Sequence, residues 1–418
     1  MLDITAGPPL LPTLTDDARA VHDDLRELRR ALHREPEIGL DLPRTQEKVL
    51  AALDGLPLKT TLGRGATSVT GVLRGGGGEL GAARPVVLLR ADMDALPVQE
   101  LADVDYRSRI DGAMHACGHD LHTAMLVGAA RLLAARRDQL PGDVVLMFQP
   151  GEEGWAGAKV MIDEGVLDAA GRRADAAYGM HVFSTLAPHG TFVTKAGPML
   201  AASDGFEVTV RGSGGHGSAP HAALDPVPAA AEMVTALQVA VTRAFDALDP
   251  VVVTVGVLRA GTRRNVIPDE AFLEATVRSF SAASQARAAE ILPRVVRGVA
   301  AAHGLEVEAT YTPEYPVTMN DDDETAFAAG VVEKMFGDER HLRWTRPLSA
   351  SEDFSFVLEQ VPGTFIGLAA PPEGADLATA EFNHSPRAVF DDGVLADGAA
   401  LYAALALDRL DQLAVPKG

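Results

Sequence analysis

The densest chemistry in the sequence is His115-Ala-Cys-Gly-His-Asp-Leu-His-Thr, residues 115–123, with three His, one Cys and one Asp in nine positions. Cys117 and His119, separated by one glycine, can face a single ion, and a thiolate with an imidazole suits zinc or a neighbouring transition metal. The competing chemistry is a Cys–His nucleophile pair, although such dyads usually join residues distant in sequence. Cys117 is the only cysteine and cannot form an internal disulfide; without these neighbours it would read as a small buried apolar residue. A second segment, Phe148-Gln-Pro-Gly-Glu-Glu-Gly, carries the adjacent carboxylates Glu152 and Glu153. One can ligate metal while the other takes a proton from water and passes it to a leaving nitrogen. In isolation the pair would be a solvated acidic turn. His181, in Gly-Met-His-Val-Phe, and His384, in Asn-His-Ser-Pro, stand where apolar segments end or break. Either one alone reads as a surface or satisfied core histidine.

Three further residues are candidates for substrate contact. His216 sits in Gly214-Gly-His-Gly-Ser-Ala-Pro-His221, whose small residues allow close backbone approach to a ligand; a plain hairpin tip is the alternative. Asn265, in a polar turn between two strands, and Arg278, within a strand, could hold a carboxylate. A strand arginine is otherwise solvated or ion-paired.

The elements that must position these groups follow from the apolar pattern. At 418 residues the chain exceeds one ordinary core and is expected to form two domains. Prolines at 8, 9 and 12 and the lack of an apolar period make the first ~20 residues a loose arm. Val21, Leu25, Leu28 and Leu32 predict a helix over 16–34. Short apolar strands at 68–73, 85–91 and 143–149, with an Ala/Leu-rich helix at 122–136, predict an α/β sheet. Ligands of such sheets gather beyond the carboxyl ends of the strands. Residues 74–81 read as a flexible turn. From 201 to 312 the order strand, helix over 226–245, strands 251–258 and 271–280, helix 285–303 and strand is that of a ferredoxin-like sandwich. The catalytic domain is therefore expected to span 1–200 and 313–418, with 201–312 inserted.

Composition excludes other classes. Hydrophobic residues at 47% and charged residues at 23% describe a soluble globular protein. A net charge of −21 argues against nucleic-acid partners, which demand a basic face. No stretch approaches the ~18 apolar residues that span a membrane. The N-terminus lacks the basic leader and apolar core of a signal peptide, so a cytoplasmic location is expected.

In chain order, the blocks LHREPEIGL (32–40), RADMDALP (90–97), HACGHDLHTAML (115–126), FQPGEEG (148–154), GMHV (179–182), GGHGSAPH (214–221), NVIPD (265–269), SEDF (351–354) and NHSP (383–386) resemble one known family. It is that of the dinuclear-metal amidohydrolases and exopeptidases, which includes aminoacylases, hippurate hydrolases, carboxypeptidase G and plant indole-acetyl-amino-acid hydrolases. The resemblance implies two divalent metal ions, zinc or else manganese, cobalt or nickel, on Cys117, His119, Glu153, His181 and His384. It implies Glu152 as the general base. His216 matches a histidine that reaches across a dimer interface to the developing oxyanion, and Asn265 and Arg278 match residues that grip the substrate carboxylate. The implied fold is an α/β zinc-peptidase domain, with mixed sheet and flanking helices, interrupted by a ferredoxin-like α+β lid that also dimerises. The implied partners are N-acyl amino acid substrates and a second copy of the chain, with larger homo-oligomers open. Asp92-Met93-Asp94 stands where distant relatives carry His-x-Asp, and Cys117-Gly-His-Asp120 stands where they carry an Asp that bridges the metals. These departures place the chain in the hippurate and indole-acetyl-amino-acid branch, with Asp94 supporting the ligands from behind and Asp92 unassigned. Phe183-Ser184 replaces the branch's usual Trp-Pro after His181, and Ala350 a glycine before SEDF. The expected reaction is hydrolysis of N-acyl amino acids. Its rivals are a dipeptidase or carboxypeptidase of the same family, a Cys117 thiol hydrolase, and a non-catalytic binding protein.

Overall fold

The computed structural model describes residues 10–77 and 84–415. The chain divides into two compact units, one of residues 1–197, 319–346 and 356–418, the other of 198–318 and 347–355.

The first unit is built on an eight-stranded mixed sheet. Its strands include β1 (Leu58–Leu62), β2 (Val69–Arg74), β3 (Val86–Asp92), β4 (Asp143–Gln149), β5 (Ala176–Phe183) and β6 (Phe192–Thr194). In space they run β1-β2-β4-β3-β5, followed by Gly363–Ala369, β6 and His341–Arg343. β3 lies parallel to both β4 and β5, and Gly363–Ala369 is also parallel to β5. All seven residues of β3 and of β4 are buried, which accounts for their near-continuous apolar runs. Helix α4 (His119–Ala135) and helix Leu395–Ala414 pack on β3 and on each other. Leu89, Leu126, Leu146, Phe148 and Tyr402 belong to the resulting core.

The N-terminal expectation needs correction. Residues 1–9 lie outside the described residues, but Leu10–Ala20 forms a helix, α1, rather than a loose arm. Leu14 and Ala18, four residues apart and therefore on one helix face, are fully buried, and α1 packs against helix Leu395–Ala414. Pro12 falls in the first turn, where its missing N–H costs nothing. The helix predicted over 16–34 is interrupted at Val21 (φ −102°, ψ 3°), beyond which α2 runs from His22 to Arg34 and α3 from Pro43 to Leu53. Of the turn predicted at 74–81, residues 78–81 lie outside the described residues.

The second unit holds a four-stranded antiparallel sheet in the order Val251–Ala260, Glu270–Ser279, Ala202–Arg211, Glu306–Tyr315. With helices Pro226–Ala244 and Ala282–His303 this is the β-α-β-β-α-β succession of a ferredoxin-like sandwich. Local signals start both helices. The Asp225 side chain accepts the Val227 N–H just before Pro226, and the Ser281 side chain accepts the Ser284 N–H. Phe206, Val208, Leu273, Val277 and Leu292 form a core of this unit's own. Among the described residues, no helix of either unit is long and apolar enough to cross a membrane.

Candidate metal centre

Because β3, β4 and β5 are parallel, their carboxyl ends deliver side chains to one edge of the sheet. Asp92 ends β3, with Asp94 two residues on; Glu152 and Glu153 follow β4; His181 is near the end of β5. Helix α4 opens at His119 immediately after Gly118, which has left-handed backbone (φ 87°). A Cβ on Gly118 would meet Val182 Cγ2 at 2.3 Å, so glycine alone lets the start of α4 approach the end of β5. His384 comes from a loop pinned to the same place: its N–H donates to the Ala116 carbonyl at 2.8 Å. The neighbouring Asn383 accepts the Ser184 N–H at 3.0 Å and donates to the Val182 carbonyl at 3.0 Å.

The five predicted ligands come together within the first unit. Cys117 Sγ lies 3.3 Å from His181 Nε2 and 3.3 Å from His384 Nε2. Glu153 Oε1 is 3.2 Å from His384 Nε2 and 4.0 Å from His119 Nε2. Cys117 belongs to two ligand trios, one with His119 and His181, the other with Glu153 and His384; Glu152 joins His119 and Glu153 in a third. Two ligands on one tetrahedral zinc, sulfur at ~2.3 Å and nitrogen at ~2.05 Å, stand about 3.6 Å apart, close to the observed sulfur–nitrogen separations.

The electrostatics fit a cation. Both ring nitrogens of His119, fully buried, lack a hydrogen-bond partner among the described residues. Burial works against charge on His119, but Asp92, Asp94 and the Cys117 sulfur outweigh it and hold its pKa well above the usual value. Contacts with Cys117 and Glu153 push His384 up to about 10. Glu153, despite its burial, is held below the usual range by His384 and His119. His181, buried beside His122, is held well below the usual value and so presents a neutral ring. The cluster's carboxylates and sulfur thus hold protons on His119 and His384 where a divalent cation would otherwise supply the positive charge, and its sulfur and imidazoles favour zinc-like ions over magnesium or calcium.

A further trio, Asp92, His119 and His122, also meets in space, although no local pattern singles out His122 or Asp92. Both nitrogens of His122 are engaged. Nδ1 lies 2.6 Å from Asp92 Oδ1, and Nε2 accepts the Val182 N–H at 2.8 Å. The acceptor role at Nε2 puts the ring proton on Nδ1, donated to Asp92. Asp92 also accepts from Arg90 Nη1 at 2.7 Å, and Thr123 Oγ1 donates to its backbone carbonyl. His122 is thus a strut from β3 and α4 to the residue after His181. Asp94, the one supporting residue named from sequence, accepts the N–H groups of Glu152 (2.9 Å) and Glu153 (3.0 Å), fixing the turn that aims both carboxylates.

His216, Asn265 and Arg278 lie in the second unit. His216 pairs with Val266 in a short antiparallel ladder, and the Gly217 N–H donates to the Asn265 carbonyl, so His216 and Asn265 are neighbours. His216 Nδ1 accepts the Ser218 N–H at 3.2 Å, which leaves the ring proton on Nε2. Arg278 is elsewhere: it pairs with Ser203 near one end of the sheet, whereas Glu270, adjoining the Asn265 turn, pairs with Arg211 at the other. Eight residues of extended strand separate Glu270 from Arg278, about 27 Å. Asn265 and Arg278 of one chain therefore cannot close on one small carboxylate. Arg278 Nη1 donates to Ser351 Oγ at 3.1 Å.

Comparison with known proteins agrees with this geometry. Residues 88–408 match the model of peptidase family M20/M25/M40. Thermostable carboxypeptidase 2 of Saccharolobus solfataricus is 35% identical over 404 residues, covering 95% of this chain and 98% of that protein. The IAA-amino acid hydrolase ILR1-like 2 of Arabidopsis thaliana is 37% identical over 399 residues, covering 94% and 87%. A crystal structure from Bacillus subtilis, described as a dinuclear metal binding peptidase from the M20 family, superposes with a TM-score of 0.79 at 32% identity, covering 94% of this chain and 99% of that one. The eight-stranded sheet with its ligand-bearing edge, the ferredoxin-like unit and the match over 88–408 establish that this chain belongs to peptidase family M20/M25/M40.

Proposed function

We propose that this chain is a cytoplasmic, homodimeric, metal-dependent amidohydrolase that cleaves N-acyl amino acids into a free amino acid and a carboxylic acid. The observation that carries the reading is the position of Glu152. Its backbone is locked by Asp94, and its carboxylate meets His119 and Glu153 in one cluster, beside Cys117, His181 and His384. Cys117, His119, Glu153, His181 and His384 would hold two divalent ions, which supply Lewis acidity to water and to the amide carbonyl. Glu152 accepts the proton of the attacking water and returns it to the departing nitrogen. His216, with its proton on Nε2, has the donor needed for a developing oxyanion. The turn that carries Asn265, neighbour to His216, adjoins Glu270, about 27 Å along its strand from Arg278, so a substrate gripped by all three residues would take His216 and Asn265 from a second copy and Arg278 from the first. That requirement supports the dimer.

The second reading is a carboxypeptidase or dipeptidase, favoured by the name of the archaeal relative. Both readings use the same cluster, since a peptide is also an N-acylated amino acid. The test is amino-acid release from acetyl, benzoyl, long-chain and indole-acetyl conjugates and from unblocked dipeptides, before and after chelation. Release from acyl conjugates that chelation abolishes and zinc, manganese or cobalt restores supports the proposal. Release from peptides alone would replace it with the second reading, and release that resists chelation would overturn the metal chemistry.

A further inference from the structure

His384 joins the cluster in a conformation that its own backbone resists. Its φ is 71°, in the left-handed region that a residue bearing a side chain keeps only where its surroundings hold it there. Burial does not hold it, because 53% of the His384 side chain is exposed. Hydrogen bonds must do so. One runs from the His384 N–H to the Ala116 carbonyl, and a further set converges on the side-chain amide of the preceding residue, Asn383.

The partners fix which way that amide points. The Ser184 N–H can only donate, so the Asn383 atom 3.0 Å from it is Oδ1. Nδ2 therefore faces two carbonyls that can only accept, those of Val182 at 3.0 Å and Cys117 at 3.3 Å. The same nitrogen lies 3.8 Å from Cys117 Sγ, close enough for an N–H to donate to sulfur. One side chain thus joins three stretches that carry ligands: Cys117, the residue after His181, and His384.

A plain loop clamp would need only the two carbonyls. Nδ2 also approaches the sulfur that belongs to both ligand trios, one with His119 and His181, the other with Glu153 and His384. An N–H beside a thiolate draws charge from it and restricts where its remaining lone pairs point.

We propose that Asn383 is a positioning residue of the metal centre, which holds His384 in its left-handed conformation and donates an N–H to the Cys117 sulfur. This assignment rests on the ligand set of the amidohydrolase reading above and adds to it a residue that is not itself a ligand.

The experiment compares wild type with Asn383→Ala, Asn383→Asp and Ser184→Ala. Zinc affinity is measured by competition with a fluorescent chelator, and the thiolate-to-cobalt charge-transfer band is recorded on cobalt(II)-loaded samples. Asn383→Ala should weaken zinc about 10–100-fold. Its band should move to longer wavelength, because a sulfur that loses a donor gives up its electrons more easily. Asn383→Asp keeps the oxygen that faces Ser184 but has no N–H, so its band should move in the same direction. Being nearly the same shape as asparagine, it carries the test if the alanine variant does not fold. Ser184→Ala removes the hydroxyl that donates to the Glu381 carbonyl at 2.8 Å and leaves the sulfur untouched, so its band should stay with that of wild type. A band at one position in all four proteins, or one that moves as far in Ser184→Ala as in the Asn383 variants, overturns the donation to sulfur. Unchanged zinc affinity in Asn383→Ala overturns the positioning role. In each of these cases the thiolate band of the wild type leaves the amidohydrolase reading standing. Wild-type protein that binds neither metal, or shows no thiolate band with cobalt, removes the ligand set and this assignment together.

Discussion

Gly118→Ala tests whether the closeness of α4 and β5 builds the metal centre. The substitution has two separable costs. A non-glycine residue at φ 87° costs about 1–2 kcal/mol in left-handed backbone. The new Cβ would stand 2.3 Å from Val182 Cγ2 and 3.3 Å from Phe390 Cε1, overpacking worth about 1–3 kcal/mol. Together they predict a loss of about 2–5 kcal/mol in urea unfolding of chelated protein. Gly171→Ala isolates the first cost, since Gly171 has φ 90° and nothing within 4 Å of its Cβ position; about 1–2 kcal/mol is expected there. Adding Val182→Ala to Gly118→Ala removes the clashing methyl, so the double-mutant cycle should show a coupling of about 1–3 kcal/mol in favour of the pair. Relief of the clash must move Cys117 and His119 away from His181, so zinc affinity should fall at least about tenfold. A Gly118→Ala protein no less stable than Gly171→Ala, or strict additivity with Val182→Ala, would refute the close-approach argument.

Other outcomes follow from the same geometry. Glu152→Gln should keep its zinc, measured by elemental analysis, while turnover falls at least about 100-fold. Asp94→Ala strips the acceptors from two backbone donors and should cost about 2–4 kcal/mol in urea unfolding, with Asp94→Asn recovering part because one oxygen remains. His122→Ala removes the strut to Val182 and should weaken zinc about 10–100-fold in a competition with a fluorescent chelator. Glu35 is held below its usual pKa of 4.5 by its hydrogen bond to Lys48, so its stabilisation is present above pH 4.5 and lost as pH falls through the depressed value. The pair is partly exposed, so Glu35→Gln should cost under ~1 kcal/mol at pH 7, with the difference closing toward pH 3 in urea titrations.

How much of this was legible in the sequence depended on whether a residue's partners are local. Cys117, His119, Glu152 and Glu153 sit in two short segments at strand ends, and their chemistry reads directly from composition and spacing. His181 and His384 are isolated in sequence and became candidates for ligation through the family resemblance. Asp92 and His122 stayed invisible because their roles depend on each other, across 30 residues, and on the Val182 N–H. Nothing in a local pattern distinguishes a buried strut from a ligand. The resemblance assigns Asn265 and Arg278 to one carboxylate grip, and no local pattern reveals that the register of Glu270–Ser279 separates them within one chain. The ferredoxin-like unit was read almost whole, since its alternating strands and capped helices are local signals. α1 is not legible because its prolines outweigh the Leu14–Ala18 spacing, whose burial depends on a helix nearly 400 residues away.

The central strand carries one more implication. β3 is buried along its whole length, yet Arg90 and Asp92 lie within it and are tied to Gln149, His122 and Tyr402. The material that braces the reactive edge is therefore also part of the buried core. Natural variants at Arg90 or Asp92 should lower the amount of protein a cell retains before they alter its turnover, because quality control samples the unfolded fraction. A screen scored by abundance would mark these two positions as strongly as one scored by activity. Glu152, whose side chain serves the chemistry, would stand out only in the second.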